Sequence, residues 1–221
     1  AGRVSPEHSL FPYETADKLH DNHSHTGPVT LLRIRQPSGA QELWEPFADR
    51  AMDGNARTPR LLKNVAGNHV IFEETNHRLG LTFRYAWQSS REFGFVRTAS
   101  LENIGGADAE VEVVDGLQNL CPWGVPLSTY QQASCLVDAY KHNELDPATG
   151  MGIYSLTAQI SDRAEAAEIL RATTVWSRGL DDGTGFLSRN GLDEFRRGET
   201  PRAEELWVGR RGNYFRYATL R

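Results

Sequence analysis

The sequence predicts an all-β fold, namely an antiparallel β-sandwich or supersandwich with a few short helices. Runs of β-branched and aromatic residues recur along the chain, and turns rich in Gly, Pro, Asn and Asp separate them. Helices at the spacing that a parallel α/β sheet requires are missing from this pattern. A length of 221 residues, 39% of them hydrophobic, suits one large all-β domain. We therefore expect a single sandwich domain over residues 1–221.

The first part of the chain contains three predicted strands. Val29–Arg35 and Gln41–Phe47 are short runs with β-branched and aromatic residues, bounded by Gly and Pro. Asp53–Pro59 is predicted as a loop, because it combines Asp, Gly, Asn and Pro. Asn68–Thr75 is the third strand, and a two-residue connection of hairpin length follows it.

The segment Arg78–Gln88 carries the clearest strand pattern of the chain. Apolar and polar residues alternate along it, which is the period of a strand with one buried face. We predict that the side chains on its apolar face point into the interior: Leu79, Leu81, Phe83, Tyr85 and Trp87.

A long antiparallel hairpin is predicted from Glu92–Asn103 and Ala109–Leu120, which a Gly-rich turn connects. Gly116 interrupts the second strand, which indicates a bulge or a close approach of another backbone segment. Because buried amides usually satisfy backbone groups, we expect Gln118 and Asn119 to bond the backbone in preference to a ligand.

The second half of the chain is less regular. Ser128–Tyr140 is predicted as a short helix, and Asn143–Gly150 as a cluster of turns. For Ser161–Leu170 the sequence allows two predictions, a helix or a strand. Residues 178–202 are rich in Gly, Asp and Ser and are predicted to form a flexible excursion. Three further strands are expected, at Met151–Ile160, Ala172–Ser177 and Tyr214–Leu220.

Composition and charge argue against several classes of function. The net charge is −5, the pI is about 5.8, and the sequence has no run of basic residues. We therefore expect no nucleic-acid partner. No apolar run reaches the ~20 residues of a membrane span, so no membrane partner is expected. The dinucleotide, P-loop and zinc-protease motifs are also missing, and no cofactor is expected.

Two cysteines, Cys121 and Cys135, match no metal-binding spacing. Two free thiols in a reducing compartment are preferred over a disulfide. The start of the chain carries neither a secretory signal pattern nor an initiator Met. We therefore expect a cytoplasmic fragment of a longer protein, with a processed secreted protein as the alternative.

The densest polar cluster is a histidine-rich tract that contains His20, His23 and His25. Three imidazoles close together could bind a transition metal. However, the tract lies in a loop-like stretch and no distant fourth ligand is evident. A polar turn whose Asp and Asn side chains bond the local backbone is the preferred interpretation, and no metal is expected.

A second group of polar residues could act as an acid and a base in a sugar-ring reaction. A mutarotase needs one group that takes a proton from O1 and another that delivers one to the ring oxygen. The carboxylates of Glu73 and Glu74 and the imidazoles of His77 and His142 are the candidates. The alternative is that these side chains only solvate the protein surface. We expect no catalytic residue, and Glu74, His77 and His142 are kept as candidate carbohydrate contacts.

Among the five tryptophans, Trp123 is the best candidate for a ligand surface. Indole rings stack on sugar rings, and their N–H group donates to hydroxyls. Trp123 lies in a loop rich in Pro and Gly, whereas Trp87 fits the apolar face of a strand and is expected in the core. Exposed aromatic residues also mark protein interfaces, which is the alternative for Trp123.

Several segments together resemble a family of large bacterial proteins described as cellobiose-phosphorylase-like. The resemblance extends roughly from Pro12 to Leu180. The residues that carry it lie in Pro12–Asp21, Leu43–Arg50, Val114–Val125, Leu136–Gly150 and Ile160–Leu180.

This resemblance implies an N-terminal β-supersandwich similar to galactose mutarotase. In the phosphorylases that the chain resembles, a helical (α/α) barrel follows the sandwich and carries the general acid and the phosphate site. The resemblance therefore implies a non-catalytic module of a carbohydrate-active enzyme, a glycoside phosphorylase or hydrolase. Its expected partners are the barrel of the same parent chain, carbohydrate, and a second copy in a homodimer. A free-standing aldose mutarotase or epimerase on the same fold is the alternative.

Overall fold

The computed structural model describes residues 8–36, 39–48, 56–160, 170–180 and 182–220, without the side chains of Ala16, Leu19 and His20. The predicted all-β class is confirmed, since strands far outnumber helices among the described residues. The described residues form α1 (Ala16–Asn22), β1 (Gly27–Arg35), β2 (Gln41–Trp44), β3 (Arg57–Lys63), β4 (His69–Asn76), β5 (Leu81–Ser90), β6 (Gly94–Asn103), β7 (Glu110–Leu120), α2 (Leu127–Tyr140), β8 (Lys141–Asp146), β9 (Met151–Leu156), β10 (Thr173–Val175), β11 (Thr184–Phe186), α3 (Asn190–Arg196), β12 (Leu206–Val208) and β13 (Gly212–Leu220).

The chain divides into two compact units, and the division falls inside β1 and β7. We call residues 32–111 the meander unit. The sandwich unit contains the residues up to 31 and those from 112 to 220. No helix in the described ranges is both long and apolar enough to cross a membrane.

The meander unit contains a four-stranded antiparallel sheet in the order β3-β4-β5-β6. Neighbours in sequence are also neighbours in the sheet, as in a meander. The second half of β1 pairs with β2, with Leu32 opposite Trp44. The predicted loop Asp53–Pro59 is wrong for Arg57–Pro59, which begins β3, while residues 53–55 lie outside the described residues. Pro59 is tolerated because β3 is the edge strand of the sheet.

The strand predicted at Arg78–Gln88 is confirmed as β5, but its simple alternation is wrong. Leu81 and Phe83 are buried, whereas Tyr85 and Trp87 are half-buried and Leu79 lies in the preceding turn. Two residues of the opposite face, Thr82 and Ala86, are buried as well. A central strand has neighbours on both sides, and its small side chains are covered by longer ones across the pair.

The sandwich unit contains two sheets, β11-β13-β7-β1 and β10-β9-β8-β12. Two tyrosine hydroxyls join them: Tyr154 donates to the Asn213 carbonyl at 2.7 Å, and Tyr214 donates to the Gly150 carbonyl at 2.8 Å. Sheets that face each other across such a core form a sandwich, which confirms the predicted architecture for this unit. Its fully buried large side chains include Tyr154, Phe186, Phe195 and Phe215.

Gly116 allows the close backbone approach that the sequence predicts. A Cβ atom at this position would lie 2.0 Å from the Tyr214 carbonyl oxygen. Gln118 donates to the Ser24 carbonyl at 3.4 Å, so its expected backbone bond is confirmed. Asn119 differs, because its side chain donates to the Thr26 hydroxyl at 3.0 Å.

The predicted turn cluster Asn143–Gly150 is wrong in its first half. β8 extends through Asp146, and only the four residues after it form the turn to β9. The Asn143 amide is 1% exposed and donates to the carbonyls of Trp207 and Arg210 at 2.7 and 3.0 Å. Asn favours turns when its amide bonds the local backbone, and here distant carbonyls take that role.

Residues 178–202 do not form the excursion that their composition predicts. They contain β11 and α3, and Phe186, Leu192 and Phe195 are fully buried. The glycines that suggested flexibility serve close packing. A Cβ at Gly185 would lie 2.3 Å from Leu145 Cδ2, and one at Gly191 would lie 2.5 Å from the ring of Phe186.

The helix predicted at Ser128–Tyr140 is confirmed as α2, which is kinked at Ala133. The strands predicted at Met151–Ile160, Ala172–Ser177 and Tyr214–Leu220 are confirmed as β9, β10 and β13, with shifted ends. The prediction for Ser161–Leu170 falls on residues 161–169, which lie outside the described residues.

Candidate functional site

A cavity of about 460 Å³ lies in the sandwich unit beside Trp123. Its walls come from the loop between β7 and α2 and from α2 itself. Further lining residues come from the two ends of the segment that connects β9 to β10. The loop has the sequence Cys-Pro-Trp-Gly-Val-Pro, in which Gly124 has a φ of 76°. The lining residues are Trp123, Gly124, Val125, Pro126, Thr129, Leu156, Gln159, Ile160, Leu170 and Arg171.

Trp123 forms an aromatic wall of this cavity and is half-buried. The imidazole of His8 stacks on the indole, with 4.4 Å between the ring centroids and 28° between the planes. A ring held in this way loses little rotational freedom when a ligand binds. The side chains of Thr129, Gln159 and Arg171 add a hydroxyl, an amide and a guanidinium to the same lining.

The interior next to the cavity is apolar. Val125, Val137 and Leu156 form a buried cluster, and Tyr130, Tyr140 and Ile160 pack against it. Val125, Leu156 and Ile160 belong both to this cluster and to the lining. The cavity therefore has a fixed apolar floor with polar groups on its walls, which is the usual composition of a small-molecule site.

Four ionisable groups lie close to this cluster: Lys141, Asp138, Cys121 and Tyr130. The Lys141 ammonium is 1% exposed and pairs with the Asp138 carboxylate at 2.7 Å. Burial raises the pKa of the Cys121 thiol, and it also raises the pKa of Tyr130 well above its usual range. Cys121 is therefore protonated at neutral pH and unsuited to act as a nucleophile. Both cysteines are free, as predicted.

The carboxylate of Glu74 has a structural role in the meander unit. Its carboxylate accepts a bond from Trp44 Nε1 at 2.8 Å and one from the Phe47 amide at 2.9 Å. Arg57 Nη1 is 4.0 Å away. Phe47 has the left-handed φ of 64°, and its ring packs on Phe72, Phe83 and Tyr85. With both oxygens occupied and 4% of the residue exposed, Glu74 is a structural anchor for the β2 end.

Glu73 points to the other face of β4, since successive strand residues alternate. It accepts a bond from Arg84 Nε at 2.7 Å and lies 3.5 Å from Arg60 Nη1. The two neighbouring carboxylates are therefore on opposite sides of the sheet and do not form a catalytic pair.

The two histidines of the acid and base hypothesis lie in different units. His77 is exposed in the turn after β4, and its Nε2 lies 2.8 Å from the Thr58 hydroxyl. His142 is half-buried in β8, with Nδ1 3.5 Å from Glu144 Oε1. Neither lines the Trp123 cavity.

The histidine-rich tract begins in α1 and continues into the turn before β1. The His20 side chain lies outside the described residues. The guanidinium of Arg189 donates to His25 Nδ1, and its Nη2 donates to the Ser24 carbonyl at 3.4 Å. Burial first, and then the positive charge of Arg189, lower the pKa of His25. No cluster of three His, Cys, Asp or Glu suited to a metal occurs among the described residues.

The sequence singled out Trp123 but not the polar groups around it. Thr129, Gln159 and Arg171 come from separate elements and follow no common spacing. Arg189 was missed for the same reason, because 164 positions separate it from His25.

Comparison with known proteins adds no assignment to this geometry. The chain matches no model of a known protein family. No curated protein is significantly similar to it in sequence.

Proposed function

We propose that the chain is a non-catalytic β-sandwich module of a carbohydrate-active enzyme and that it contacts carbohydrate at the Trp123 cavity. The observation that carries this proposal is the combination of a fixed indole wall with amide, hydroxyl and guanidinium groups in one cavity. Its volume of about 460 Å³ lies within the range of roughly 300–1,000 Å³ that is usual for small-molecule sites.

The chemistry of the lining matches that of a sugar. The apolar C–H face of a pyranose ring packs on an indole, and its hydroxyls bond to amide and guanidinium groups. Gln159 offers both a donor and an acceptor, whereas Arg171 offers donors only. Among the described residues of the lining, Arg171 supplies a positive charge, which suits a neutral or anionic saccharide.

The arrangement of the acidic residues supports a binding role in preference to bond cleavage. Glycoside cleavage needs a carboxylic acid near the leaving oxygen and a second group opposite to it. Glu74, the carboxylate that the sequence nominated, is buried and bound by Trp44 and Phe47. The resemblance to phosphorylase-like proteins places the acid in a helical barrel, and we propose that barrel as the partner of this module in its parent chain.

The proposal is tested by calorimetric titration of the 221-residue chain with glucose, galactose, cellobiose and maltose. We expect weak binding of at least one sugar, with a Kd of about 1 mM. Trp123→Ala should weaken that binding by about tenfold or more, because the stacking wall is lost. Gln159→Ala should weaken it less, through the loss of hydrogen bonds.

Trp176→Ala is the matched control, because this indole is 44% exposed and does not line the cavity. Its affinity for sugar should equal that of the unmodified chain. Failure of all four sugars to bind would overturn the carbohydrate assignment, as would unchanged binding in Trp123→Ala.

A further inference from the structure

Arg189 is a half-buried arginine whose charge is not neutralised by an ion pair. Its guanidinium donates to His25 Nδ1 and, at 3.4 Å, to the Ser24 carbonyl. Among the described residues it makes no other hydrogen bond and no ion pair. A guanidinium has five N–H groups, so three of them are left for water or a ligand.

The acidic side chains near Arg189 are already bound elsewhere. Asp193 acts on the charge of Arg189, but it pairs with Arg196 Nη1 at 3.0 Å. Glu204 accepts bonds from the amide and the hydroxyl of Ser188, both at 2.6 Å, so each of its oxygens is occupied. Neither carboxylate therefore serves as the counter-ion of Arg189.

The surroundings of Arg189 are positively charged. Burial is the main cause that lowers the pKa of Arg189; Asp193 raises this pKa, and the charges of Arg196 and Arg211 lower it further. Arg211 also lowers the pKa of His25, after burial and Arg189. A cation that has lost part of its water and lies near other cations is stabilised by an anion.

The groups that surround the Arg189 guanidinium can donate hydrogen bonds. Because His25 accepts through Nδ1, its neutral ring carries the proton on Nε2. The Ser24 hydroxyl is exposed and lies 3.4 Å from the same Nδ1. Arg211 faces Asp138 through its Nε at 3.5 Å, which leaves both of its terminal nitrogens to donate elsewhere. We call these donors the Arg189 cluster: Ser24, His25, Arg189 and Arg211.

We propose that the Arg189 cluster binds a tetrahedral oxyanion, such as a phosphate group. The planar fork of a guanidinium matches two oxygens of such an anion. The other donors come from two further segments, the turn before β1 and the turn before β13, and can reach the remaining oxygens. No member of the cluster lines the Trp123 cavity, so this proposal is independent of the carbohydrate proposal.

Calorimetric titration of the 221-residue chain with sodium phosphate, at pH 7.5 and constant ionic strength, tests the proposal. We expect a Kd of about 1 mM. Arg189→Gln should weaken binding by about tenfold or more, because it removes both the charge and the fork. Arg91→Gln is the matched control, since Arg91 is exposed in the turn between β5 and β6 of the meander unit, and its affinity should not change.

A second variant and a second ligand sharpen the test. Arg189→Lys keeps the charge but not the fork, so its affinity should lie between those of the unmodified chain and Arg189→Gln. Circular dichroism should show that both variants are folded. Glycerol phosphate should also bind and should lose affinity in Arg189→Gln; whether it binds more tightly than phosphate tells a phosphate ester from the free ion as the ligand.

Two results would show that the proposal is wrong. The first is a chain that binds neither phosphate nor glycerol phosphate. The second is binding that is as tight in folded Arg189→Gln as in Arg91→Gln, because the anion would then be held by another part of the surface.

Discussion

Glu74 and Trp123 were both nominated as carbohydrate contacts, but the fold uses them in opposite ways. Glu74 is buried in the meander unit, and Trp44 and Phe47 occupy both of its oxygens. Trp123 lines a cavity in the sandwich unit, where His8 fixes its ring. The comparison teaches that a side chain suited to a ligand can serve one only where the fold leaves its binding groups open.

The largest effect on stability is expected from Glu74. In Glu74→Gln, the new NH₂ group must face either Trp44 Nε1 or the Phe47 amide, and both of these are donors. We expect the free energy of unfolding to fall by about 2 kcal/mol, because a buried donor loses its acceptor. Urea denaturation followed by circular dichroism measures it.

Glu92→Gln is the control for this experiment, since Glu92 is exposed in the turn before β6. Its stability should stay within about 0.5 kcal/mol of the unmodified chain. Sugar affinity should be unchanged in folded Glu74→Gln. If Glu74→Gln were as stable as the control but bound sugar less tightly, the assignment of Glu74 to the fold and not to a ligand would be wrong.

A smaller effect on stability is expected from His25. The ring of His25 lies next to the positive charge of Arg189, whereas the carboxylate of Glu74 accepts bonds from neutral donors. Burial and then Arg189 lower the pKa of His25, so the folded chain binds its proton less readily than the unfolded chain. The stability that depends on neutral His25 is therefore present above the unfolded-state pKa of about 6.5 and is lost as the pH falls through the lowered pKa.

Urea denaturation at pH 7.5 and 5.5 measures this loss. The decrease should be smaller in His25→Gln, which cannot take up a proton. His77→Gln is the control, because His77 is exposed and lies in the other unit. An equal decrease in the unmodified chain and in His25→Gln would show that other groups cause the pH dependence.

No effect is expected on sugar-ring opening. Polarimetry of freshly dissolved α-glucose and α-galactose should give the same rate with and without the chain. His77 and His142 lie in different units, and neither lines the Trp123 cavity. A clear acceleration that is lost in His77→Ala or His142→Ala would favour the mutarotase alternative and oppose the binding module.

Much of the strand pattern was predictable from local sequence. The alternation in Arg78–Gln88 gave β5, and the Gly-rich turn after Asn103 correctly separated β6 from β7. The antiparallel hairpin predicted from Glu92–Asn103 and Ala109–Leu120 is wrong, because β6 pairs with β5 and β7 belongs to a different sheet, and a local turn signal does not decide which strand becomes the neighbour. Sequence reasoning failed where a residue type usual for turns is held by distant partners. Asn143 lies in β8 because the carbonyls of Trp207 and Arg210 accept its amide bonds.

The candidate site was predictable only in part. The Pro and Gly residues around Trp123 pointed to a loop, and a loop tryptophan is a reasonable ligand contact. The other members of the lining share no sequence pattern, because they converge only when β9, α2 and the residues before β10 fold together.

The order of residues along the chain was enough to determine the strand at β5, the turn after Asn103 and the helix at α2, since these depend on near neighbours. The folded arrangement determined that Glu74 binds Trp44 across 30 positions, and that Arg189 binds His25 across 164. It also determined that the glycines at 185 and 191 allow dense packing. Such pairings depend on which strands become neighbours, and a local pattern carries no information about its distant partner.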